Sequence, residues 1–323
     1  MLICLQACSS SDSEELLPVD RNWDTSEYVE SIISFDGGPS FYMPTRLKLV
    51  DEAFYVADRA DMTVKSWTLD GQYRAVYGTG IGEGPGEIQS LVDFAVCDGE
   101  VWTLDQSSRK VSRFSSDGTF MSSFNAGFSA HKIACVGENL VFKGLGASPY
   151  LFHVYDKQGG NLTSYGDLEG DPVAASFVRE GSFGSTYENG VAYAYWKASY
   201  VDLYQVDDTL RNRIETIDRF GFPQTQIRNS GGRQGMGMSS RDTLTMGIVY
   251  HDSERLGLHT LFVERHNEVN PEMTWLVDWY NLPEGRYTGS VRMPEMGSVK
   301  YHAGSYYGFR DTVIVRFSPA ELQ

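Results

Sequence analysis

LKLVDEAFYVADRADMTVKSWTLDGQYRAVYG, residues Leu47–Gly78, and FAVCDGEVWTLDQSSRKVSRFSSDGTFMSSFN, residues Phe94–Asn125, align without a gap. The step from Leu47 to Phe94 is 47 residues. Asp58 falls on Asp105, Val64 on Val111, Trp67 on Phe114, Asp70 on Asp117, Gly71 on Gly118 and Tyr73 on Phe120. A fixed period of this size marks a repeat architecture, in which each unit buries its apolar face only against its neighbours. Within each copy the pattern is all strand. Ala53–Ala57 and Val101–Leu104 are short β-rich runs closed by an Asp, and Val64–Leu69 and Val111–Phe114 alternate apolar and polar. Asp70-Gly71 and Asp117-Gly118 then signal a hairpin, expected here as a primed turn with φ > 0 at the glycine. Tyr73–Tyr77 and Phe120–Phe124 follow as last strands.

Four antiparallel strands per period is the make-up of a propeller blade. From Met43 to Gln323 there is room for six such periods, so the expected fold is all-β: a six-bladed β-propeller of four-stranded antiparallel blades. Tyr28–Phe35 reads as an early strand that closes the ring by joining the last blade, which removes exposed edges. Blade one spans about 43–78, and the crossing Gly78–Glu87 leads to blade two. Blade three spans about 131–166, with Gln158-Gly159-Gly160 at the hairpin. Blade four spans about 185–220, with Asp207-Asp208 at the turn. Blade five spans about 240–280, using Thr243–Tyr250, His259–Glu264 and Met273–Trp279. Blade six spans about 289–323, using Gly289–Met293, Val299–Tyr307 and Thr312–Phe317. Arg228–Ser240 reads as a Gly-rich irregular segment.

The 33 glycines and 13% aromatic residues among 323 suit many short strands and tight turns. A net charge of −16 argues against phosphate-backbone contacts, so nucleic acid is not an expected partner. The acidity reads first as a solubilising surface.

Leu5-Gln6-Ala7-Cys8 resembles a bacterial lipobox, which makes Cys8 the lipidation site. Gln6 departs from the usual small or aliphatic residue. The seven residues before Cys8 are few for a signal, so the natural start is expected upstream. The domain reading is a signal remnant at 1–8, a polar tether at 9–26 and a propeller at 27–323. A lipid group would tether the body to a membrane surface without spanning it. With Cys4 removed alongside the signal, Cys97 and Cys135 remain, each ending the innermost strand of adjacent repeats. In an oxidising periplasm a disulfide between them is allowed, but innermost strands usually diverge, so these read first as two buried thiols. There is no CxxC.

The sequence YVAD…W-x-L-D-G-x-Y…G-x-G-x-G-P-G-E, carried by Tyr55–Asp58, Trp67–Tyr73 and Gly78–Glu87, resembles the six-bladed propellers of the NHL-repeat and TolB-like kind. More closely, it is similar to the lipid-anchored six-bladed propeller proteins of Bacteroidetes and related bacteria. The specific resemblance covers Leu47–Asn125. It implies the fold, a location in the bacterial cell envelope (periplasmic or surface-exposed) and a binding role. The chain reads as a monomer whose partner is a peptide, a glycan or an envelope protein.

The stretch GTGIGEGPGE fits neither GxGxxG nor GxxxxGK[ST], and a strand follows it, so it reads as an interblade crossing and not as a phosphate cradle. In a propeller the crossings and the turns between second and third strands share one face. Candidate ligand-binding residues on that face are Asp58, Arg59, Asp61, Glu83, Glu87, Asp105, Gln106, Arg109, Lys143, Trp196, Lys197, His251, Asp252, Arg255 and Arg310. Asp58 and Asp105 read first as turn caps. Tyr193, Tyr195, Trp196 and Tyr200 read as interblade packing, with a stacking platform as the alternative. HExxH and GxSxG are both absent from the sequence. No cofactor is expected. The alternative function is a calcium-dependent lactonase, esterase or lyase with a metal in the central channel, since some six-bladed propellers hold calcium there with carboxylate oxygens.

Overall fold

Each repeat folds into one four-stranded antiparallel sheet. The computed structural model describes residues 20–320 apart from 147, 188–189, 206–209, 224, 231–232, 239–242, 265–271 and 283. Cys8, the signal remnant and the Asp207-Asp208 turn lie outside the described residues. Blade one is Pro44–Val50, Ala53–Asp58, Thr63–Thr68 and Tyr73–Tyr77, and blade two is Leu91–Cys97, Glu100–Asp105, Lys110–Phe114 and Phe120–Asn125. Blade three runs from Ala130 to Asp167, and blade four from Gly181 to Glu215. The first strands of the blades pack against one another around the axis. One apolar cluster fills each interface between neighbouring blades, so burial is shared by pairs of sheets. Trp67 and Trp102, at 1% and 0% exposure, are among its largest members.

Ring closure follows the expected design. Tyr28–Ile32 pairs antiparallel with Val313–Pro319, and the last sheet contains Gly297–His302, Ser305–Arg310, Val313–Pro319 and this early strand. Gly289–Met293 belongs instead to the outer strand of blade five, Arg286–Met293, which pairs with Glu272–Asn281. Val299–Tyr307 is split in two by the turn at Ala303-Gly304, where both residues have positive φ. Blade five is complete, from Thr243 to Met293. The Gly-rich segment before it is not irregular: Thr225–Ser230 and Arg233–Met238 form a two-stranded antiparallel ribbon. A short helix, Pro172–Val178, lies in the crossing from blade three to blade four. Asp171 caps it, accepting from the N–H groups of Val173 and Ala174.

Three further expectations are corrected. The DG turns are not primed. Gly71 N–H bonds Thr68 O at 3.0 Å, and Gly71, not Asp70, carries positive φ (+88°). This is a turn followed by a left-handed glycine with a bulge in the pairing, the three-residue hairpin solution. Cys97 and Cys135 are joined as a disulfide with Cα atoms 5.8 Å apart, because the innermost strands of blades two and three come together at the end where these residues sit. The tether is also shorter than its polar composition suggests. Arg21 is buried and paired with Asp218 (2.8 Å) and Asp278 (3.2 Å), and Asp24 N–H bonds Ser290 O.

Candidate functional site

The innermost strands bring charged residues to the axis at repeated positions. Arg46 lies opposite Ala57, Asp93 opposite Leu104 and Lys132 opposite Lys143, each one residue before the end of the blade's second strand. Strand alternation turns Leu47 and Leu49 away, into the cluster between blades six and one. Two residues deeper, Lys48 lies opposite Tyr55, and Lys300 of blade six lies opposite Tyr307, an equivalent place in the adjacent sheet. These residues line a cavity of about 390 Å³ on the axis, with Phe183, Trp196, Lys197, His259 and Trp275 among its walls. A second cavity of about 460 Å³ opens toward the opposite face and shares Lys48, Phe183, Ile248 and Lys300 with the first. Those four side chains stand between the two cavities.

Lys48 donates to Phe94 O and Ile133 O and lies 3.5 Å from Asp93 Oδ1. Lys300 donates to Ile248 O at 2.6 Å. Lys132 is 3% exposed, with its ammonium 4.8 Å from the centre of the Trp196 indole. Burial, reinforced by Arg46 and Lys48 against Asp93 and Glu180, pushes Lys132 down to about 8. Burial and the neighbouring Lys48 and Arg46 likewise push Lys300 to about 8. His259, buried and stacked on Trp275, is driven down to about 3 by burial and by Lys300, so it is neutral. Its Nε2 has no hydrogen-bond partner among the described residues.

The structure separates the residues singled out from sequence. Trp196 and Lys197 line the axial cavity. Asp58, Arg59, Asp61, Asp105, Gln106 and Arg109 sit in turns between second and third strands of blades one and two, on the crossing face with Glu83 and Glu87. Asp58 and Asp105 are buried and cap backbone. Asp58 accepts from Tyr42, Met43 and Ala60 N–H, and Asp105 from Gln89, Ser90 and Ser107 N–H. Asp61 accepts from the Thr63 hydroxyl and pairs with Lys65. Glu87 accepts from Gly84 N–H, and Lys110 holds the carbonyls of Glu83, Gly84 and Glu87. This crossing is thus a tied loop in which Gly78, Gly80 and Gly86 have positive φ. Lys143 is buried against Glu180 at 2.6 Å. Arg310 clamps Glu30 of the closing strand.

His251, Asp252 and Arg255 are not on this face. They bound the connection between the first and second strands of blade five, at the opposite end of the sheet. Thr243–His251 is the first strand of blade five and not its second, because Arg286–Met293, expected in blade six, is the fourth strand of this sheet. Tyr193 and Tyr195 pack between blades three and four, as expected, and Tyr200 packs against Phe222. The axial cations Arg46, Lys48, Lys132 and Lys300 were missed. A signal existed for two of the ring positions, since Arg46 and Asp93 are themselves 47 residues apart, immediately before the repeats begin.

The axial donors do not fit calcium. That ion takes roughly six to eight oxygen ligands. Among the described residues Asp93 is the only carboxylate lining the crossing-face cavity, and it faces Lys48 and Lys132. Among the described residues no three His, Cys, Asp or Glu side chains gather as a ligand set.

Comparison with known proteins matches residues 40–251 to the family DUF5128, described as a 6-bladed beta-propeller. No curated protein matches in sequence. Among solved structures, a DUF4221-family member from Bacteroides vulgatus is 8% identical with a TM-score of 0.57, covering 92% of this chain and 98% of its own. A protein of Bacteroides fragilis described as exported is 11% identical with a TM-score of 0.55, covering 90% and 94%. Virginiamycin B lyase of Staphylococcus aureus, in an inactive variant with quinupristin, is 8% identical with a TM-score of 0.50, covering 90% and 99%. At these identities the likeness is one of fold.

Proposed function

The chain belongs to the DUF5128 family of six-bladed β-propellers, and from that premise we propose that it is a non-catalytic binding module of the bacterial cell envelope. In this reading it is of the NHL-repeat and TolB-like kind, anchored by lipid on Cys8, with residues up to about 20 as tether. It holds a peptide, glycan or partner-protein group at the crossing-face mouth of the axial cavity. The observation that carries the reading is the cavity itself: about 390 Å³ on the axis, walled by Phe183, Trp196 and Trp275 with polar groups between them. Concave, largely apolar sites with a few directed polar groups are where propellers and other scaffolds bind small groups. The Cys97–Cys135 disulfide supports an oxidising compartment outside the cytoplasm.

The test is a titration of the full chain with envelope-derived oligosaccharides and peptides, followed by tryptophan fluorescence, because Trp196 and Trp275 line the cavity. Saturable binding that Trp196→Ala abolishes is expected. Binding that survives both Trp196→Ala and Lys197→Ala would move the site elsewhere and end this reading.

A further inference from the structure

We infer that the axial cavity takes an organic oxyanion, a carboxylate or phosphate group carried on a ring or apolar body, with Arg46, Lys48, Lys132 and Lys300 as its charge partners. The inference rests on the reading of the crossing face as a binding surface and adds the class of ligand.

The chain as a whole carries −16. Among the described residues the cavity reverses that sign, with Arg46, Lys48, Lys132, Lys197 and Lys300 against the single carboxylate of Asp93. A concave site with low-dielectric walls concentrates such a field on its contents. The cations are also short of acceptors. Lys132 is 3% exposed and has the Trp196 ring as its close contact, with no oxygen accepting from Nζ among the described residues. Lys300 places one of its three protons on Ile248 O. Among the described residues Arg46 donates to Thr45 O alone, at 3.5 Å. Ammonium and guanidinium groups that line a cavity with donor capacity to spare can give charge-assisted hydrogen bonds to an oxyanion held there. His259 Nε2, buried at the same cavity and without a partner among the described residues, offers a further hydrogen bond. A volume of about 390 Å³ admits a molecule the size of a sugar phosphate and excludes a folded domain. Trp196, Trp275 and Phe183 give the cavity aromatic wall against which a ring attached to the charged group can pack.

The experiment is calorimetric titration of the full chain with inorganic phosphate, glucose 6-phosphate, glucuronate and uncharged glucose, at low and high salt. The two charged sugars are expected to bind at low salt, more tightly than inorganic phosphate and more weakly as salt rises, while glucose does not bind. Which charged sugar binds tighter separates a phosphate ligand from a carboxylate one. Lys132→Met, which keeps the apolar stem, is expected to weaken binding about tenfold or more, and Lys300→Met similarly. A cooperative thermal transition shows that each variant is folded. If no anion binds at millimolar concentration, or if both variants bind as the parent does, the oxyanion assignment is overturned. An uncharged ligand lost on Trp196→Ala, with the anions inert, would remove the oxyanion assignment alone. Absence of any ligand sensitive to Trp196→Ala would remove the crossing-face reading as well.

Discussion

Lys65 Nζ stands 2.8 Å from Asp58 Oδ2, and neither side chain has exposed surface. The pair ties the second and third strands of blade one to the incoming crossing, since Lys65 also donates to Ser40 O and Asp58 receives Tyr42 and Met43 N–H. Burial would raise the Asp58 carboxyl, but the Lys65 ammonium and these backbone donors hold it below its ordinary value. In blade two, Ser112 stands where Lys65 does, and Asp105 is held by backbone N–H groups.

Asp58→Asn should therefore cost more than Asp105→Asn. Removing the carboxylate leaves a buried ammonium with Asp61 as its remaining charge partner, at about 3 kcal/mol or more, while Asp105→Asn weakens neutral donors by about 1–3 kcal/mol. Adding Lys65→Met to Asp58→Asn should recover part of the loss. Urea denaturation of the parent and these three variants measures the costs, and equal costs at the two aspartates would contradict the argument.

Gly71 and Gly118 both have φ +88°, and a Cβ on either would meet a backbone oxygen: Ser34 O at 2.1 Å and Val76 O at 2.2 Å. Each turn is seated on the chain of its neighbour, so the requirement is steric as well as conformational. Gly71→Ala and Gly118→Ala should each destabilise by more than about 1 kcal/mol. A melting curve equal to the parent's for either variant would show that these turns do not pack as described.

The disulfide closes a separation of 38 residues between blades two and three. Cys97→Ser with Cys135→Ser should lower stability by about 2–4 kcal/mol, chiefly by freeing the unfolded chain. Denaturation of the parent with and without reductant gives an independent measure. Identical midpoints would show that the bond contributes nothing.

Lys132 and Lys300 titrate at about 8 in the folded chain against 10.5 in the unfolded one. Between those values the unfolded chain binds more protons, so their contribution to stability rises with pH across that window. The groups facing Lys132 are Arg46, Lys48, Asp93 and Glu180, and those facing Lys300 are Lys48, Arg46 and Asp93. Buried tyrosines such as Tyr193, held well above 10, oppose this only at higher pH. The melting temperature of the parent relative to Lys132→Met should climb between about pH 8 and 10.5. A flat difference would show that Lys132 is neutral or solvated throughout.

Cys8→Ser should release the protein from the membrane fraction of its bacterial host into the soluble one, since one acyl-bearing residue is the proposed anchor. Unchanged fractionation would exclude Cys8.

Much of the architecture was legible because local rules repeat. Strand alternation, the Asp-Gly turns and the 47-residue step each depend on residues near one another in sequence, and they recur. Ring closure by Tyr28–Ile32 followed from the need to leave no open sheet edge. The limits of blades five and six were not legible, because Arg286–Met293 and Val299–Tyr307 carry strand composition without a turn signal that says which sheet they join.

The sequence by itself determined the repeating unit, the number of blades and the conformational demand at Gly71 and Gly118, all consequences of neighbouring residues and period. The tertiary structure alone decided the axial cavity. Arg46, Lys48, Asp93, Lys132 and Lys300 are spread over much of the chain and share no local motif. They become one charged site because every blade turns its first strand to the same axis.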